Sequence, residues 1–199
     1  IPNVVPSGSE EGTTAEEVLT ELGEYGVFNL KQLIYSETAE NDNISNIPGV
    51  DVETYRDKSY DHITNNLKSL AVNILTPLYE KYGEDMKITS CYRCSILDEA
   101  VGGSGKGPHT FGKAADIQVL NVPTSEIFNY IKSNFEWQQL IWEEPEKGTY
   151  PKSDASWIHI AYEQNQNRKK LSLYTSNPEL SEYYRNKGAR PSTENNKYT

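Results

Sequence analysis

The chain has 199 residues, 36% of them hydrophobic, with a net charge of −10 and a mean hydropathy of −0.71. That length suits one domain with a real core and extended ends. With 19 basic against 29 acidic residues it lacks the clustered Lys and Arg that phosphate binding needs. No apolar run nears the ~18 residues of a membrane span, so neither nucleic acid nor a bilayer is expected as a partner.

Residues 1–24 read as a weakly structured arm, rich in Ser, Gly, Glu and Thr, with one short helical candidate from Ala15 to Leu22. The first residues show no charged n-region and no apolar h-region, so no signal peptide is expected. From Phe28 to Ile34 the apolar spacing predicts a short helix, and Asn41 to Pro48 a turn-rich loop. The longest predicted helix runs from about Asp61 to Tyr79. Ile63, Leu67, Leu70, Ala71, Ile74, Leu75 and Leu78 form its apolar stripe, and Ser59 or Asp61 its N-cap. Pro77 is expected to bend or end the last turn. His62, at the start of this helix, reads as a solvated or capping side chain.

Met86–Ser90 is a predicted strand. A turn at Cys91-Tyr-Arg93 follows, then a short helix from Ser95 to Val101 that Gly102 and Gly103 terminate. Cys91 and Cys94 are the only cysteines. A disulfide closing so short a loop removes little chain entropy, and a pair of buried thiols is an equal alternative. With no second CxxC, a redox or metal role for them is disfavoured. A helix is predicted from Pro123 to about Asn134, with Ile127, Phe128, Ile131 and Phe135 giving its buried face. Gln139–Glu143 and Trp157–Tyr162 read as strands split by a loop holding Pro145, Gly148 and Pro151, and Leu171–Tyr174 as an added edge strand. Residues 176–199 are a polar tail, and no internal repeat is present.

The chemistry gathers around His109-Thr-Phe-Gly-Lys-Ala-Ala-Asp116. A glycine-rich run leads into His109, the chain turns at Gly112, and it leaves as an alternating strand with Asp116 and Gln118 on one face, Ile117 and Val119 on the other. A loop histidine and a carboxylate on the next strand can converge on one point. His159, on the strongly alternating strand from Trp157, is the candidate third ligand; a satisfied core histidine is its alternative. Two histidines and one carboxylate with an open fourth position is a donor set that catalytic zinc sites use, whereas calcium or magnesium want more oxygens.

Taken together, several segments resemble the zinc D-Ala-D-Ala carboxypeptidase-type peptidases of the M15 family, most closely their small phage-associated branch. They are Phe28–Ala39, Asn66–Ala71 with Ile74–Leu78, Ile88–Arg93, Ala100–Gly103, His-x-x-Gly-x-Ala-x-Asp116, Gln139–Glu143 and Ser156–Tyr162. The resemblance implies an α+β fold, with a small antiparallel sheet flanked by helices and zinc on the open face. The peptidase domain would span 25–175, between an N-terminal arm (1–24) and a C-terminal tail (176–199). It further implies His109, Asp116 and His159 as zinc ligands and Glu143 as general base, preferred over Glu144 and Asp154. Arg93 would clamp a substrate carboxylate or stabilise an oxyanion, with a structural ion pair as its alternative. Ser90 and Tyr92 would form the turn, and Trp142 and Trp157 would wall the pocket.

The sequence departs from the family pattern in three places. Cys91 and Cys94 replace glycine and a small polar residue, and Gly107-Pro108 stands where a serine commonly precedes the histidine. Ser156 occupies the position from which some branches supply the base. The implied activity is zinc-dependent hydrolysis of peptide bonds in peptidoglycan stem peptides. The alternatives are a virion or tail structural protein that keeps the fold, and a wall-peptide sensor. The expected location is the virion or the host cytoplasm or periplasm, with other virion proteins as partners of the terminal arms.

Overall fold

The computed structural model describes residues 24–50, 58–143 and 157–164, together with the backbone of 170–174 and 197–198. The expected helix at Ala15–Leu22, Glu144, Asp154, Ser156 and the loop prolines lie outside these residues.

Two short helices open the described chain. In α1 (Leu30–Ile34), Asn29 and Gln32 form a reciprocal capping box. In α2 (Glu37–Asn41), the Ser36 hydroxyl accepts the Ala39 N–H; the periodicity did not announce this single turn, because only Ala39 of it is buried.

The long amphipathic helix forms as α3 (Tyr60–Leu70), capped by Ser59. His62 is exposed at its start, as expected. The expectation for Pro77 needs correction. The helix does not end there, but widens into a π-turn over Ala71–Leu75 and continues as α4 (Thr76–Tyr82). The Thr76 N–H reaches back to the Ala71 carbonyl. Proline has no N–H to give the preceding turn and its ring crowds the carbonyl four residues back, and a widened turn just before it relieves both. The stripe stays continuous: Ile63, Leu67, Leu70, Ala71, Ile74, Leu75 and Leu78 are all fully buried, each larger one contributing on the order of 1.5–3 kcal/mol.

The sheet holds four antiparallel strands in the order β1-β2-β4-β3: β1 (Met86–Ser90), β2 (Ala114–Val119), β3 (Gln139–Glu143) and β4 (Trp157–Ala161). This is the expected α+β architecture. β5 (Lys170–Tyr174) adds to β3 in parallel rather than closing the sheet as an edge, since the short β6 (Lys197–Tyr198) pairs outside it. Between β1 and β2 lie the Cys91–Cys94 turn, α5 (Ser95–Ala100) and a 3₁₀ turn over Pro108–Phe111. Between β2 and β3 lies α6 (Thr124–Asn134).

Residues directly opposite in an antiparallel pair share a face. Ala115, Ile117, Leu140, Trp142, Ile158 and Ile160 therefore form one face, which joins Ile127, Phe128 and Ile131 of α6 in the core. The other face carries Asp116, Ile141, Glu143, Trp157 and His159. Trp142 thus corrects a second expectation: it is not a pocket wall but a core residue, 6.0 Å from the Phe128 ring, because it lies one residue out of phase with Glu143. Trp157 is on the site face.

Gly112 ends the 3₁₀ turn at φ 68°, and a Cβ there would lie 2.8 Å from the Ile63 carbonyl oxygen and 2.9 Å from Leu67 Cγ. A left-handed backbone and a blocked approach act together, so Gly112→Ala is expected to destabilise the fold by about 2–4 kcal/mol. The shift in urea midpoint measures it.

Candidate metal centre

His109, Asp116 and His159 come together although their elements are far apart in sequence. Asp116 on β2 pairs directly with His159 on β4, so the sheet ladder brings these two side chains side by side. A bulge in β1 shifts the register so that Ser90 also pairs with Asp116, which delivers the following turn to the same place. His109 approaches from the 3₁₀ turn, 4% exposed. His159 Nδ1 lies 3.0 Å from Asp116 Oδ1 and 3.1 Å from His109 Nε2, and His109 Nε2 lies 3.2 Å from the same carboxylate oxygen.

The tautomer of His109 follows from its other nitrogen. Nδ1 is 2.6 Å from the Cys91 carbonyl oxygen. A carbonyl only accepts, so Nδ1 carries the proton and Nε2 turns a lone pair on Asp116 and His159. This backbone contact is the kind that orients a metal-bound imidazole. The Arg93 N–H donates in return to the His109 carbonyl at 3.3 Å, so the Cys91–Cys94 turn and the His109 turn hold each other. On His159, Nε2 is buried and has no partner among the described residues.

The residues fit a metal ion. Two imidazole nitrogens and a carboxylate oxygen sit 3.0–3.2 Å apart at the corners of a triangle, close to the roughly 3.3 Å edge of a tetrahedron with bonds of about 2.0–2.1 Å. Nothing among the three except a shared proton or a cation can sit between such lone pairs. These are also the three ligand groups that cluster within 4.8 Å of one another.

Burial alone would raise the Asp116 carboxyl, but the adjoining His109 and His159 outweigh it and hold the group well below the ordinary carboxylate range. Its second oxygen faces Arg93, with Nη2 3.6 Å from Oδ2, which leaves Oδ1 for the histidines. Arg93 Nε lies 3.3 Å from Oδ1 of Asp98. Asp98 is itself buried on α5, and its Oδ2 accepts the Gly105 N–H at 2.9 Å. Arg93 is therefore ion-paired, and it borders the candidate centre.

Glu143 pairs with Trp157 across the β3–β4 ladder. It shares the face of His159 and is its diagonal neighbour, a relation spanning about 7–8 Å and within reach of a long side chain. The cysteines are free and buried. Burial, with the charge of Asp116 adding to it, pushes the Cys91 thiol up to about 12, so at neutral pH it is an inert thiol rather than a ligand or nucleophile.

The Peptidase M15 family model matches residues 44–161, more than half of the chain. The chain belongs to the Peptidase M15 family. No curated protein and no solved structure matches it. The M15 match covers all three candidate ligands, Arg93 and Glu143, and it starts inside the loop before α3. M15 peptidases are metallopeptidases, and the triangle of donors is one that could hold a metal ion. The described residues contain no helix long and apolar enough to cross a membrane.

Two contributors escaped the sequence reading. Asp98 holds Arg93 and the glycine-rich loop together, but in sequence it is one acid in a short helix. Asn46 braces the Cys91–Cys94 turn, but in sequence it is one more asparagine in a turn-rich loop. No periodicity marks either, since each works through individual polar contacts rather than a repeated face.

Proposed function

We propose that this M15 member is a zinc-dependent peptidase that hydrolyses peptide bonds in bacterial cell-wall stem peptides. The observation that carries this is the convergence of His109 Nε2, Asp116 Oδ1 and His159 Nδ1 within 3.2 Å of one another, a nitrogen-rich set that suits zinc better than calcium or magnesium. When bound there, zinc would polarise the scissile carbonyl and lower the pKa of a water.

The chain's own residues do the rest. His109 and His159 supply neutral donors, the first with its tautomer fixed by Cys91. Asp116 supplies the negative charge, and Arg93 occupies its second oxygen. Glu143 stands on the same face to take a proton from the attacking water and return it to the leaving amine. Arg93 offers its remaining N–H groups to the developing oxyanion or to a substrate carboxylate. The resemblance to the small phage-associated branch supports a phage-encoded, virion-associated enzyme whose terminal segments contact other virion proteins.

The test is digestion of purified peptidoglycan with and without a chelator, following new amino termini. Release is expected to stop with the chelator and return when zinc is added. Equal release in both arms removes the metal from the reaction, and no release in either leaves the structural-protein alternative. Among the products, a single terminal amino acid marks a carboxypeptidase and internal cuts an endopeptidase.

A further inference from the structure

The Cys91–Cys94 turn serves the centre twice: Cys91 gives the carbonyl that orients His109, and Arg93 gives the guanidinium. β1 stops at Ser90, so no ladder holds the turn, and no disulfide bridges it. The side chain of Asn46, only 8% exposed, reaches it from a distant loop. Asn46 Nδ2 donates to the Tyr92 carbonyl at 3.0 Å and to the Ile34 carbonyl at 2.7 Å. Its Oδ1 accepts the Cys94 N–H at 2.7 Å. Two carbonyls and one N–H fix which end of the amide points where.

The placement of these bonds is specific. The Tyr92 carbonyl belongs to the peptide group before Arg93, and the Cys94 N–H to the one after it. One amide thus grips both peptide planes that flank the arginine, and with them the direction in which its side chain leaves the backbone. The Ile34 bond ties that grip to the end of α1, where Leu33 also accepts the Tyr92 N–H at 3.0 Å. Asp98 Oδ1 then lies 3.3 Å from Nε of the same side chain, an ion pair rather than a hydrogen bond.

We propose that Asn46 is a positioning residue for Arg93, setting the direction from which the guanidinium enters the metal centre. Its kinetic test rests on the function proposed above; its spectroscopic test does not. Asn46→Ser shortens the amide past its three partners. Asn46→Asp keeps an oxygen for Cys94 but turns a carboxylate oxygen on two carbonyls.

In both variants the Arg93 Nε–H signal, assigned by its loss in Arg93→Lys, is expected to exchange with water at least tenfold faster by NMR. Zinc content after loading should stay at the wild-type value. Exchange unchanged in both variants overturns the proposal. So does a loss of zinc with the Arg93 signal unmoved, which would assign Asn46 to His109 instead.

Where wild type cuts peptidoglycan, Asn46→Ser is expected to lower kcat/KM at least tenfold, but less than twofold in an Arg93→Ala background. Equal losses in both backgrounds mean a general structural role and overturn it. If both Asn46 variants lose their near-UV circular dichroism, the residue is a stability element and the proposal falls. A wild type inactive on peptidoglycan defeats the proposed function alone, since NMR still decides the role of Asn46.

Discussion

Glu143→Gln is expected to lower turnover of wall peptide by about 10²–10⁴-fold, the usual contribution of a general base, while zinc content stays at the wild-type level. The reasoning is positional. Glu143 lies on the strand adjacent to that of His159, on the same face of the sheet and opposite Trp157. Glutamine keeps the length and the half-buried fit of the side chain but cannot accept a proton at neutral pH. Metal content should not change, because the cluster of possible ligands is His109, Asp116 and His159 without Glu143. Elemental analysis and a single-turnover assay on the same sample check the two halves together. Undiminished turnover would assign the proton transfer to another group. A loss of metal would make Glu143 a ligand.

Asp116→Asn is the second large effect expected: at least a 100-fold weaker hold on zinc, with activity lost at stoichiometric metal. Changes to partners outside the coordination sphere already cost about 10–100-fold in affinity, and Asp116 is itself a candidate ligand. An amide of the same shape removes the only negative charge among the described residues that contacts both histidines, and it leaves Arg93 with a neutral group on the side away from Asp98. The stability consequence has a definite sign. The native carboxyl is held below its ordinary value by the adjoining histidines, so its pairing with them in their cationic form stabilises the fold above the unfolded carboxylate pKa. That contribution is lost as pH falls through the depressed native value. The metal-free variant is therefore expected to melt below metal-free wild type in mild acid, with the gap closing in strong acid. Competition with a chromogenic chelator measures the affinity, and thermal melts across pH measure the second effect.

The parts of the protein that were legible in the sequence are those written as period. The stripe from Ile63 to Leu78 and the alternation in Ala115–Val119 and Trp157–Tyr162 gave the main helix and the central strands. The same alternation placed Asp116 and His159 on faces able to meet. What period cannot express was missed or misjudged. The helix passed through Pro77 because a π-turn absorbed the proline, an adjustment with no residue signature. The chemical type of Trp142 suits a pocket wall, but its phase on β3 puts it in the core. Asn46 acts across more than forty residues on the turn that holds Arg93, so no local window contains both partners, and Asp98 acts on Arg93 and Gly105 from within a few residues but through side-chain geometry that no period records. The histidine pair and the aspartate were recognisable because few histidines are present and two stand on well-patterned segments.

The pairing of Asp116 with His159 has a consequence for how preparations of this protein are judged. In a pleated ladder a slip of one position inverts every side chain of the slipped strand, so a β4 misaligned against β2 would send His159 inward and Ile158 outward and part the histidine from Asp116. Such a molecule would keep its helices and much of its collapse, yet have nowhere to load an ion. Metal occupancy is therefore a proofreading signal: the fraction of chains that take up the ion counts those whose strands are correctly aligned.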